Sequence, residues 1–191
     1  MKLKILNVLF LLSFLYIEKI MASEDKNISA YDFVFTSIEG NKLPLSNFSG
    51  KILLVVNTAS FCGFTNQYAA LQTLWDRYQK RGLIVLGVPS NDFGSQEPGT
   101  EEEIKDFCKS NFDINFPMTR KVHIKGPSAH PFYSWATSKL GAIAKPRWNF
   151  HKYLINDKGE LIDWFSSPTS PLSNRLTRSV ESLLPLMNDN Q

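Results

Sequence analysis

The sequence predicts one α/β domain: a central mixed sheet flanked by helices, with a β-hairpin at its N-terminal end. Three observations carry this expectation. Two branched apolar runs, Ile52–Val56 and Leu83–Val88, have the unbroken hydrophobicity of strands buried on both faces. Between them, Tyr68, Leu71, Leu74, Trp75 and Tyr78 recur at three- and four-residue spacings, which marks an amphipathic helix over Gln67–Lys80 that Gly82 ends. Strand, helix and strand in that order, with a helix of that length, make a parallel pair joined by a right-handed crossover.

The remaining elements follow along the chain. Alternation over Tyr31–Phe35, a turn at Glu39-Gly40-Asn41 and renewed alternation over Leu43–Leu45 predict the N-terminal hairpin. Thr100 followed by Glu103 is a capping-box pattern, and it opens a helix on which Ile104, Phe107 and Cys108 share one face, so Cys108 is expected to be half buried. A strand around Lys121–Lys125 and a helix around Pro131–Leu140 come next. Phe150–Ile155 and Leu161–Phe165 flank Asn156-Asp157-Lys158-Gly159, a hairpin signal. The last helix spans Leu176–Met187, with Leu176, Val180, Leu183 and Leu184 on one face.

The 191 residues, 43% of them hydrophobic and 20% charged, suffice for one sizeable core. A formal charge of +3, with no basic run and no base-stacking motif, gives no reason to expect a nucleic-acid partner. Two cysteines make neither a disulfide-dense scaffold nor a four-cysteine zinc site, and no cofactor is expected. Met1–Ala22 carries Lys2 and Lys4, an apolar run Ile5–Ile17 and small residues at Ala22 and Ser23, the pattern of a secretory signal peptide. The run is shorter than the roughly 20 apolar residues that span a bilayer. Cleavage there would leave residues 23–191 as one nearly neutral exported, periplasmic domain, whereas a start at Met21 would give a cytoplasmic product.

The chemistry centres on Cys62. A cysteine just after a central strand and just before a helix faces unsatisfied backbone N–H groups and the positive end of the helix dipole, which favours the nucleophilic thiolate. Attack on a peroxide would give a sulfenic acid. Taken alone, a buried structural cysteine is an equal reading.

Asn57-Thr58-Ala59-Ser60-Phe61-Cys62-Gly63-Phe64-Thr65 resembles the active-site segment of the glutathione peroxidase family, with cysteine in the selenocysteine position. Pro89–Gly99, containing Asn91 and Gln96, is similar to the family's asparagine-to-glutamine loop, and Trp148–Leu154 resembles its tryptophan-asparagine segment. The resemblance spans about residues 30 to 187 and implies a thioredoxin-like fold. It places the catalytic tetrad on Cys62, Gln96, Trp148 and Asn149, whose amides and indole N–H are neutral donors able to bond the sulfur and the departing oxygen. Val88 departs from the family's frequent phenylalanine, and Asp92 from its frequent glutamine; Asp92 reads as a turn cap.

Phe107–Phe112 with Asn115-Phe116-Pro117 resembles the segment that carries the resolving cysteine in the thioredoxin-dependent branch, which assigns that role to Cys108. The implied activity is a thiol peroxidase on hydrogen peroxide and organic or lipid hydroperoxides. Its Cys62 sulfenic acid would be captured by Cys108 as a disulfide and then reduced by a thioredoxin-like donor or glutathione. A disulfide needs Cα atoms within about 7 Å, so the Thr100–Phe112 helix is expected to unwind locally. The short Leu140–Trp148 connection resembles the monomeric branch. If the chain is exported, a periplasmic thioredoxin-like donor is required.

Other readings remain open. Cys108 could be inert core, or half of a permanent disulfide with Cys62. A peroxiredoxin would want proline and threonine where Val55 and Ala59 stand, and a disulfide exchanger would want cysteine at Thr65. A cysteine hydrolase would need a base among His123, His130 and His151, none of which has a supporting motif. A peroxide sensor that passes oxidation to a partner protein shares the first chemical step.

Overall fold

A computed structural model describes residues 28–185 of the protein. The leader-like stretch Met1–Ala22 lies outside the described residues, as does Met187. The N-terminal hairpin pairs β1 (Val34–Thr36) with β2 (Lys42–Pro44). Its strands are shorter than the alternation suggested, because Ser29 and Asp32 form a capping box that coils Ala30–Asp32 into a 3-10 turn.

The main sheet has the order β4-β3-β5-β6, built from β3 (Ile52–Thr58), β4 (Leu83–Pro89), β5 (Lys152–Ile155) and β6 (Leu161–Phe165). β3 and β4 run parallel, while β3 with β5 and β5 with β6 are antiparallel, so the sheet is mixed. The crossover helix α1 (Gln67–Tyr78) continues into a 3-10 turn that ends at Gly82 with φ 107°. Glycine takes that left-handed conformation without a Cβ clash. Helices α2 (Glu101–Phe112), α3 (Pro131–Leu140) and α4 (Asn174–Glu181) complete the domain.

Strand alternation divides the core into two layers. Leu54, Val56, Leu83, Val85 and Leu154 face α1, α2 and α4, meeting Tyr68, Leu71, Leu74, Ile104, Leu176 and Val180. Leu53, Val55, Leu86, Val88 and Tyr153 point the other way, against Phe132, Tyr133 and Trp135 of α3 and Phe35 of the hairpin. Every residue of β3 is buried, as a strand covered on both faces must be.

Three expectations need correction. Lys121–Lys125 is not a strand: the amides of Ile124 and Lys125 donate to the Asp92 carboxylate and Val122 N–H donates to Pro89 C=O, so its donors are spent singly rather than on a ladder. The last helix starts at Asn174 and stops at Glu181, with Leu183 and Leu184 in the following turn. Cys108 is not half buried but 1% exposed. Ile114, Phe116 and Met118, from the segment after α2, join it in the same core cluster.

Candidate active site

Cys62 lies in the tight turn between β3 and α1. Thr65 fixes that turn, because its Oγ1 accepts from Cys62 N–H at 3.0 Å and donates to Ala59 C=O at 3.0 Å, while its own N–H donates to Cys62 C=O at 3.0 Å. The residue standing where a disulfide exchanger carries its second thiol is therefore a structural hydroxyl. Cys62 is 8% exposed, and its Sγ accepts from Phe64 N–H at 3.4 Å, a bond that stabilises negative charge on sulfur. Both cysteines are free thiols.

Three of the residues singled out by resemblance come together on one side of this turn. Phe61 N–H donates to Gln96 C=O at 3.0 Å, which docks the 89–99 loop beside the cysteine. Asn149 is fully buried and its Nδ2 donates to both Gln96 Oε1 at 3.0 Å and Phe93 C=O at 3.3 Å. Both Asn149 protons are thus committed, so this amide positions Gln96 rather than donating to sulfur. Gln96 Nε2 and the Trp148 indole N–H, by contrast, have no protein acceptor among the described residues, and Trp148 is 39% exposed. Among those residues the only hydrogen bond to Cys62 Sγ comes from Phe64; Gln96, Trp148 and Asn149 make none to it.

Gly94 makes the approach of loop and indole possible. Its φ is +69°, and a Cβ there would lie 3.2 Å from Trp148 Cη2. Asn57, at the end of β3, holds the opposite segment with four bonds. Its Nδ2 donates to Trp148 C=O and its Oδ1 accepts from His151 N–H, both at 3.1 Å. Its backbone donates to His151 C=O and accepts from Phe150 N–H. This clamp keeps Phe150, a bulky residue, at φ 61°, a left-handed conformation that costs roughly 1–2 kcal/mol. Asn57, Thr65 and Glu97 were not singled out as functional from sequence. A polar residue ending an otherwise apolar buried strand was the available signal for Asn57.

Asp92 is bonded to the 123–125 segment. Burial acts to raise its carboxyl, but hydrogen bonds from His123 and the Ile124 and Lys125 amides outweigh it and hold it below the ordinary value. None of the histidines serves Cys62: His123 pairs with Asp92, and His130 caps α3 and stacks on Phe35. His151 is buried against Trp164, its ring pushed down to about 4 by burial and the Lys152 charge.

The glutathione peroxidase family profile matches residues 30–137. The chain is 43% identical over 156 residues to the glutathione peroxidase-like peroxiredoxin gpx1 of Schizosaccharomyces pombe, covering 81% of this chain and 98% of that protein. It is 40% identical over 166 residues to the hydroperoxy fatty acid reductase gpx1 of Synechocystis, covering 83% and 97%. Among solved structures, Trgpx in its apo form superposes with a TM-score of 0.67 at 32% identity, over 82% of this chain and 95% of that one. A thioredoxin family thiol:disulfide interchange protein from Chlorobium tepidum superposes with a TM-score of 0.59 at 15% identity over 79% and 92%, a likeness of fold alone that identifies the architecture as thioredoxin-like. The chain belongs to the glutathione peroxidase family.

Proposed function

We propose that Cys62 is the peroxidatic residue, that Gln96 and Trp148 stabilise the departing oxygen, that Asn149 positions Gln96, and that Cys108 resolves the oxidised sulfur. Its family membership and its relatives' names support a thiol peroxidase that takes a hydroperoxide and a thiol reductant. In the first step the Cys62 sulfur attacks one peroxide oxygen, the O–O bond breaks, and the released alkoxide takes up the thiol's proton to leave as alcohol or water. Negative charge develops on that oxygen, and unspent neutral donors aimed at it lower the barrier without titrating. The observation that carries this reading is the Gln96 amide, fixed at its oxygen by Asn149 and unpartnered at its nitrogen, on a loop bonded to the residue next to Cys62.

Resolution by Cys108 is supported by the weak anchorage of its helix. Of the twelve residues of α2 only Ile104 and Cys108 are buried. Hollows of about 450 Å³ and about 300 Å³ flank it, one lined by Ile104 and Phe107 and the other by Lys105, Cys108 and Lys109. Such an element opens at little cost, which would let Cys108 reach Cys62. A thioredoxin-like dithiol would then reduce the disulfide of a monomeric enzyme. Peroxide consumption by the purified protein with thioredoxin or with glutathione, beside Cys62→Ser, tests both activity and donor. Turnover with thioredoxin that Cys62→Ser abolishes is expected; turnover by Cys62→Ser, or none with either donor, would refute the assignment.

A further inference from the structure

Glu97 is a buried carboxyl that the steps above leave without a task. It is 0% exposed, and neither carboxyl oxygen completes a hydrogen bond of good geometry, although the Ser60 hydroxyl and amide lie beside it. An unpaired carboxylate in such a place costs several kcal/mol, roughly. Its surroundings lead from one cysteine to the other. Ser60 is two residues before Cys62, and its Oγ is likewise unpartnered. On the interior side, Tyr68 of α1 and Cys108 of α2 share one core cluster, the Tyr68 hydroxyl has no hydrogen-bond partner, and the Glu97 charge acts on both. A groove walled by Phe61, Ile104 and Phe107 opens above the carboxyl, between the Cys62 turn and α2.

We propose that Glu97 is the proton acceptor for Cys108 in the resolving step. This rests on the roles of Cys62 and Cys108 given above. While α2 is packed, the Cys108 proton passes to the Glu97 carboxylate; α2 then opens and the Cys108 thiolate attacks the Cys62 sulfenic sulfur; the S–S bond forms as the S–O bond breaks; and the departing hydroxide recovers the proton from Glu97 and leaves as water. Cys108 is oxidised, the sulfenic sulfur is reduced, and no further reactant is needed.

The electrostatics fit this task. In the packed helix, burial pushes the Cys108 thiol up to about 12, with the neighbouring Tyr68 hydroxyl lowering it and the Glu97 charge raising it further, so there it needs a base at neutral pH. Burial also pushes the Glu97 carboxyl up to about 7, opposed by the neighbouring Ser60 hydroxyl and amide and by the Lys121 ammonium. An acceptor poised near neutrality is matched to proton transfer there. The other titratable groups facing it are Tyr68 on α1 and Glu103 and Cys108 on α2. Glu103 is committed to the Thr100 amide and does not compete.

The test is rapid-quench mass spectrometry after one equivalent of hydrogen peroxide, from about pH 5 to about pH 9, following the trapped Cys62 sulfenic acid and the Cys62–Cys108 disulfide separately. In the unsubstituted protein, the disulfide step is expected to accelerate with pH up to about 7 and then level. In Glu97→Gln the disulfide step should fall at least about tenfold relative to Cys62 oxidation and lose the plateau, rising with hydroxide instead. A wild-type profile of any other shape, flat or rising throughout, or a folded Glu97→Gln with the wild-type profile, would overturn the proposal. Should Glu97→Gln not fold, the wild-type profile decides alone. Failure of Cys62 itself to oxidise overturns the parent reading and this one with it, whereas normal oxidation followed by a disulfide step without the plateau overturns this one only.

Discussion

Weakening the start of α2 should open that helix and nothing else. Its N-terminus is held by a reciprocal pair, Thr100 Oγ1 accepting from Glu103 N–H at 3.3 Å and Glu103 Oε2 accepting from Thr100 N–H at 2.7 Å. Beyond that, the helix is tied to the core by the buried Ile104 and Cys108 and the partly buried Phe107 and Phe112, and burying a side chain of isoleucine size contributes about 1.5–3 kcal/mol. Thr100→Ala removes the cap at a cost of about 1 kcal/mol. Against so small an anchorage that is a large fraction, and it multiplies the open population about fivefold. Hydrogen exchange read by mass spectrometry should show residues 101–112 exchanging about fivefold faster in the variant. Peptides from β3, whose seven residues are all buried, should be unchanged, and in the unsubstituted protein they should be the better protected. Equal protection of α2 and β3 before substitution, or acceleration spread evenly over both after it, would refute the argument that α2 is a separately opening unit.

Other substitutions probe the scaffold of the site. Asn57→Ala orphans Trp148 C=O and the buried His151 N–H, which should cost about 3 kcal/mol and lower Tm by about 6–12 °C in thermal unfolding; a shift under about 2 °C would show that the clamp is not bearing the strain at Phe150. Gly94→Ala forces a Cβ against Trp148 at 3.2 Å from a left-handed φ. Its stability loss should stay near 1 kcal/mol while the peroxide reaction slows by at least about tenfold, so an unchanged rate would separate Trp148 from the reaction. Glu97, raised in the folded state to about 7 from an ordinary 4.5, contributes stability that is fully present below 4.5 and is lost as pH rises through 7, a span of about 3 kcal/mol. His151, pushed down to about 4 from 6.5, contributes the opposite slope between those values. The difference between the unsubstituted protein and Glu97→Gln therefore reads the carboxyl: denaturant unfolding should show the gap changing steadily from about pH 4.5 to 7, and a constant gap would contradict the shift.

Local regularities were legible because local rules set them. The Thr100–Glu103 cap, the apolar period of α1 and the unbroken hydrophobicity of β3 and β4 each depend on residues within a few positions, and each appears where expected. Lys121–Lys125 failed for the opposite reason. Its alternation suits a strand, yet its amides are captured by Asp92, about thirty residues away, and no local pattern announces a side-chain acceptor. The depth of Cys108 likewise depends on Ile114, Phe116 and Met118, which only the tertiary fold brings into its cluster. At the site, the three motif segments marked which residue types assemble. Which donors are spent was not legible: that Asn149 is committed to Gln96 and Phe93, and that Glu97 is sealed between the half-buried Gln96 and the exposed Pro98, are facts of packing.

The pairing of Cys62 with Cys108 is tested most directly by intact mass after a single equivalent of hydrogen peroxide. The unsubstituted protein should lose two hydrogens and yield one peptide pair joined through both cysteines, and Cys108→Ser should instead hold a trappable sulfenic acid at Cys62. Oxidation that leaves Cys108 alkylatable in the unsubstituted protein, or steady turnover with thioredoxin by Cys108→Ser, would contradict the account.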